Sequence, residues 1–278
     1  MIDNYGNIAC ISGGGAAQIE NALGCLKAII DKRGVKFDRM MGTSAGAIVS
    51  SVLMSLDQDI DLMIETIKQT DPSRWFKIKP WQAIKSIFGY SNYIADNTGL
   101  KDYLVKTITP EAIERVQVAM TKMHDGKAVG SVVVPGTAAH VLGSMAFQHI
   151  FPPVECNGVQ YTDGGIYNLC PLPTYMELPK FKHVYIILAA KGRLLPEIGA
   201  WPILDSIMSL VDDTMDRECS QIAELKFEEA PNITVIRPKK FVESSNLVNW
   251  SENFEQMDRS YEYACQFLEV EDKIKKGT

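Results

Sequence analysis

Long hydrophobic runs are missing from this sequence. No stretch reaches about 18 consecutive apolar residues, so no membrane-spanning helix is expected. The opening segment MIDNYGNIACISGGG lacks a basic region followed by an extended apolar one, so no secretory signal is expected either. Cysteine is scattered at 10, 25, 156, 170, 219 and 265 without a C-x-x-C pair, which leaves zinc and dithiol redox motifs unsupported. Several of these cysteines sit in apolar runs, where a thiol packs as a small hydrophobe. Positive charge is in deficit. The net charge of -6 argues against nonspecific nucleic-acid binding, although it leaves room for a local basic patch. Internal repeats and low-complexity segments are absent. These absences predict a soluble, cytoplasmic protein in a reducing compartment, with no nucleic-acid partner.

What is present is ordinary globular composition. Of 278 residues, 46% are apolar and 22% charged, enough to bury a large core. NIACIS (7–12) reads as a buried strand ending at three glycines. Ile19, Ala22, Leu23, Leu26, Ile29 and Ile30 then recur at helical spacing up to Gly34. A second short strand spans 38–42, and a second helix spans 45–56. Strand–turn–helix repeated twice predicts a parallel α/β sheet. Residues 57–110 read as mostly helical, without strand alternation, and interrupt the rhythm as an insertion or cap. RVQVAMTK and AVGSVVVP form a hairpin through His124-Asp125-Gly126, and a smaller hairpin turns at Asn157-Gly158. HVYIILAA (183–190) and NITVIRP read as strands, and 202–226 and 252–274 as helices. The whole, 1–278, is expected to be one catalytic domain whose portion from 191 onward is helical.

Three motifs carry chemistry. In ISGGGAA, glycines between a strand and a helix leave backbone N–H groups open at a helix amino terminus, an anion site or simply a tight turn. The dinucleotide fingerprint fails after Gly15, and the phosphate-binding lysine of a P-loop is missing. In MMGTSAGAIVSSVL, Ser44 lies between Gly42 and Gly46. Glycine at about 7% of residues, with serine about as common, yields G-x-S-x-G by chance roughly once in ten chains of this length. Its position after an apolar strand and before a helix makes it a nucleophile-elbow candidate, because the sharp turn exposes Oγ. Such a serine needs a base. Four histidines are available, and none of His124, His140, His149 and His183 has surroundings that mark it. The other candidate is Asp163 in YTDGGIYNLCP, where Gly164 and Gly165 let the backbone pass close to a partner. Aspartate is a weak base near pKa 3.9, and burial beside an apolar pocket would raise it.

The G-G-G loop after the first strand, then G-T-S-A-G-A, then D-G-G within IFPPVECNGVQYTDGG, resembles the patatin-like phospholipase family over about residues 7–190. The resemblance implies a three-layer α/β/α fold with a central, mostly parallel sheet and a helical insertion. It implies a Ser–Asp dyad that hydrolyses acyl lipids, with Ser44 as nucleophile and Asp163 as base. Gly13, Gly14 and Gly15 match the oxyanion loop, with the N–H groups of Gly14 and Gly15 as the favoured donors. Gly42, Gly46, Gly164 and Gly165 support the turns. Neither a metal nor another cofactor is called for. One departure is Ala17, where the family usually carries a basic residue, which implies weaker phosphate recognition, a different headgroup or a replacement from elsewhere.

A lipid substrate draws attention to 72–95, PSRWFKIKPWQAIKSIFGYSNYIA, which has four basic residues and no acid. Trp75, Phe76, Trp81 and Phe88 are candidates for contact with a membrane or for a lid, and equally for packing on the core. The expected partners are a phospholipid or other acyl-lipid substrate and, transiently, a membrane surface; any activating partner is unspecified. Two alternatives stay open: a serine esterase or acyltransferase using a histidine on soluble esters, and a non-catalytic lipid-binding module.

Overall fold

The computed structural model describes residues 5–70, 75, 77–78, 93, 95–148, 150–174, 176–190, 202–224, 232–239 and 253–276. In chain order the elements are β1 (Tyr5–Ile11), α1 (Ala16–Arg33), β2 (Phe37–Thr43), α2 (Ala45–Ser55), α3 (Ile60–Gln69), β3 (Lys77–Ile78) and β4 (Ala95–Asp96). There follow α4 (Thr98–Thr107), α5 (Pro110–Arg115), β5 (Val116–His124), β6 (Lys127–Pro135), α6 (Ala138–Ser144), β7 (Val154–Cys156) and β8 (Val159–Asp163). The last are β9 (Phe181–Ile187), α7 (Pro202–Glu224), β10 (Ile233–Ile236) and α8 (Asn253–Lys276).

The central sheet runs β10-β9-β1-β2-β5-β8-β7, with β6 on the other side of β5. Five neighbouring strands, β10 through β5, are parallel. The β5–β6, β5–β8 and β7–β8 pairs are antiparallel. The parallel strands are apolar on both faces because helices or loops cover both. In β1, Ala9 and Ile11 enter one core with α1, α2, α3 and α8, while Ile8 and Cys10 enter a second core with Leu169, Cys170 and Cys219. The period-2 alternation of a strand thereby feeds two cores, and three layers result. Cys10, Cys25, Cys170 and Cys219 are buried among these residues.

Local chemistry accounts for the element ends. Gly34 closes α1 in the left-handed conformation, its N–H on the Ile30 carbonyl. Asp59 caps α3 and Thr109 caps α5, the latter ahead of Pro110. Asp125-Gly126 and Asn157-Gly158 all take positive φ, as two-residue hairpin turns require. In the 57–110 insertion the described helices α3 and α4 accompany a feature that periodicity did not announce, the antiparallel pair β3–β4. Two residues per strand are too few to display alternation.

Candidate active site

The chain leaves β1 for β2 on one side and returns to β9 on the other, so the strand order reverses at β1. In open α/β sheets such a reversal opens a crevice beyond the carboxyl ends of the strands. Gly13, Gly14 and Gly15 occupy that end of β1, and Ser44 occupies that end of β2. Ser44 has φ 53° and ψ -119°, a strained conformation for a residue with a Cβ, at the turn between β2 and α2. Its backbone N–H donates to Ser144 Oγ at 2.9 Å, and that hydroxyl donates to the Ala119 carbonyl at 2.6 Å. Close packing explains the flanking glycines. A Cβ on Gly42 would lie 2.2 Å from the Gly46 carbonyl oxygen, and one on Gly46 would lie 2.4 Å from that of Ile11.

Asp163 reaches the same point from another strand. β2 runs parallel to β5 and ends with Thr43 opposite Ala119. β8 runs antiparallel to β5 and ends with Asp163 opposite Met120. Two strands thus run toward each other along one side of β5, and their carboxyl ends meet at adjacent rungs. The Ser44 side chain lies close enough to the Asp163 carboxyl to bear on its ionisation. Asp163 is 4% exposed, and Gly165 N–H donates to its Oδ1 at 2.8 Å. Burial raises its pKa to about 6, against the smaller lowering effects of the nearby Ser44 hydroxyl and the Gly165 N–H. A Cβ on Gly164 would lie 2.2 Å from the Ala119 carbonyl oxygen, so glycine is needed where the chain turns past β5.

The segment after Asp163 fastens the other two motifs. Thr43 Oγ1 donates to the Asn168 carbonyl at 2.9 Å, and Gly13 N–H donates to the Leu169 carbonyl at 2.8 Å. Gly13 is therefore a structural member of the loop, with its N–H already engaged. Among the described residues no acceptor is found for the N–H of Gly14 or Gly15. A Cβ on Gly13 would stand 3.4 Å from Ser44 Cβ, which measures how closely the glycine loop overlies the serine.

The other expected residues fall elsewhere. Trp75 is a correction: it is 4% exposed and packs on Tyr103 with ring centroids 4.8 Å apart, so it belongs to the core and not to a membrane contact. Phe76, Trp81, Phe88 and His149 lie outside the described residues. His140 Nδ1 is 2.7 Å from the Pro135 carbonyl oxygen, and His124 pairs with Asp125 in an exposed turn. His183 pairs with Asn7 in the opposite half of β1 from the glycine loop. It hydrogen-bonds Thr234 at 2.8 Å, and burial with the nearby Lys275 and Arg33 lowers its pKa to about 4. A cavity of about 450 Å³ there is lined by Arg33, His183, Tyr185, Asn232, Asp272 and Lys275. Its charges are satisfied by one another and by Glu271, joining α1 to α8. Sequence reasoning missed Ser144, since a serine closing a short helix carries no sign that it will meet the elbow 100 residues earlier.

Fold and geometry define a class: an α/β protein with a serine on a strand–helix elbow, a buried carboxylate beside it and a glycine loop above. The family model for patatin-like phospholipase matches residues 9–174, more than half of the 278. The chain belongs to that family, and membership supports lipid hydrolase activity. Among solved structures, VipD from Legionella pneumophila is similar at a TM-score of 0.54 and 13% identity, over 97% of this chain and 67% of that one. The type III effector protein ExoU aligns at a TM-score of 0.48 and 12% identity, over 97% of this chain and 53% of its own. The ExoU–SpcU complex from the type III secretion system of Pseudomonas aeruginosa gives 0.38 and 14%, over 97% and 52%. The chain thus spans about two thirds of VipD and about half of ExoU. No curated protein matches it. No described helix is long and apolar enough to cross a membrane.

Proposed function

We propose that this protein is a phospholipase A or lysophospholipase acting through Ser44 and Asp163 from the cytoplasm, with transient contact to a membrane surface. The observation that supports the reading is the meeting of β2 and β8 on adjacent rungs of β5, which sets Ser44 and Asp163 at neighbouring strand ends. A carboxyl with pKa about 6 is ionised at neutral pH and a stronger base than an exposed aspartate. Asp163 takes the proton as Ser44 Oγ attacks the ester carbonyl. The positive end of α2 and the N–H groups of Gly14 and Gly15 stabilise the oxyanion. Collapse expels the lysolipid or alcohol, which takes the proton back from Asp163. Asp163 then activates water, which releases the fatty acid from the acyl-enzyme. The positions of the described histidines lend no support to a histidine base.

The test is mass spectrometry of products from mixed phospholipid vesicles, wild type against Ser44→Ala. Free fatty acid and lysolipid from the wild type, with none from the variant, is the expected result. Turnover retained by a pure preparation of Ser44→Ala would refute the assignment.

A further inference from the structure

Ser12 stands immediately before the three glycines, and its surroundings bear on the donor that follows. A trans peptide is a rigid plane whose C=O and N–H point in opposite directions. Whatever holds the Gly13 carbonyl therefore also aims the Gly14 N–H. Ser12 Oγ donates to the Gly13 carbonyl oxygen at 3.0 Å. Its remaining capacity is used in accepting the Ala189 N–H at 2.7 Å and Gln18 Nε2 at 3.4 Å, so its proton is left for Gly13.

Behind Ser12 the bonds continue with a single consistent direction. Asn21 Nδ2 donates to Gln18 Oε1 at 2.8 Å and to the Leu188 carbonyl at 3.2 Å. Ser260 Oγ donates to Asn21 Oδ1 at 2.9 Å. Gln256 Nε2 donates to Ser260 Oγ at 3.1 Å and to the Lys239 carbonyl at 3.2 Å. Ser12, Gln18, Asn21 and Ser260 are fully buried, and Gln256 nearly so. Gly24 permits the route: a Cβ there would lie 2.3 Å from the Met257 carbonyl oxygen, so α8 lies against the backbone of α1. Stability alone does not ask for this, because exchanging both partners of a buried hydrogen bond for apolar groups of equal shape is close to neutral. A buried polar chain that terminates on the peptide beside a reactive serine serves geometry. Gly15, next in the loop, has φ 69° and ψ -164°, a conformation open only to glycine, so the loop has no side chain of its own to fix it.

We infer that Ser12 is a positioning residue that aims the Gly14 N–H at the oxyanion, and that Gln18, Asn21, Ser260 and Gln256 form the buried relay holding it. This rests on the catalytic reading of Ser44 and the glycine loop. It makes α8, which lies outside the family match at 9–174, a working part of the site.

The experiment compares wild type, Ser12→Ala, Ser12→Thr and Ser260→Ala on a short-chain p-nitrophenyl ester. It adds inhibition by an alkyl boronic acid, whose tetrahedral serine adduct sets an oxygen where the oxyanion forms. Losing the aim of one donor lowers kcat by about 10²-fold in Ser12→Ala, the scale of deleting such a donor. KM stays within about 3-fold, and boronate affinity falls in step with kcat, because only the tetrahedral state uses the donor. Ser12→Thr, which keeps the hydroxyl, restores most of both. Ser260→Ala, far from the serine and the variant better able to fold, shows the same pattern at roughly 3- to 10-fold. Wild-type kcat and boronate affinity in folded Ser12→Ala and Ser260→Ala, or a loss confined to KM, overturn the inference. Ser44→Ala in parallel reports on the catalytic reading separately. If that variant still turns over, the backbone amide resonance of Gly14 decides: displaced in Ser12→Ala it supports the relay, unmoved it overturns it.

Discussion

Replacing Asp163 by asparagine separates what the carboxyl does for chemistry from what it costs the fold. Its pKa is raised from 3.8 to about 6 because burial disfavours the charge. The folded protein therefore binds this proton more tightly than the unfolded chain. The stability contributed by the group is fully present below the ordinary carboxylate value and is lost as pH rises through about 6. At pH 8 the shift corresponds to a cost on the order of 3 kcal/mol, which falls to roughly half of that at pH 5 and to a small fraction of it at pH 4. An asparagine side chain cannot ionise, and its Oδ1 still accepts from Gly165 N–H, so the variant escapes the cost without losing that bond. Asp163→Asn is expected to melt roughly 5–8 °C above wild type at pH 8, with the gap closing toward pH 4. Calorimetry of both proteins from pH 4 to pH 8 measures this. Turnover should vanish in the variant, and in the wild type kcat/KM should fall below about pH 6 as the base is protonated. A variant no more stable than wild type at pH 8, or a gap independent of pH, would refute the argument that burial sets this pKa.

Ser44 at φ 53° stores strain that a glycine would relieve, so Ser44→Gly should be more stable than Ser44→Ala by about 1 kcal/mol, with both inactive; urea unfolding midpoints decide. Ser144→Ala removes the acceptor of the Ser44 N–H and the donor to Ala119. It should cost about 1–3 kcal/mol and lower turnover, with Ser144→Thr recovering part of both, as read by unfolding midpoints and ester kinetics.

Much of this was legible along the chain. The apolar run in NIACI, the helical spacing behind it and the Asn157-Gly158 turn are local signals, set by side-chain character, side-chain period and backbone sterics, and each yielded the element expected. Trp75 shows the limit: an aromatic beside basic residues reads alike as a membrane anchor or a core residue, and burial alone chose the core. The histidines show it too, since no spacing revealed that His183 would sit toward the far end of the strands from Ser44.

The three motifs, their order and the elements that carry them were determined by the sequence by itself, because a glycine turn, an elbow and a D-G-G corner act over a few residues. The meeting of Ser44 with Asp163, the hold of Ser144 on the elbow and the path from Ser260 to Gly13 were decided only by the tertiary structure. Those contacts join residues about 100 or more positions apart, and strand register and helix packing bring such residues together with no trace in local pattern.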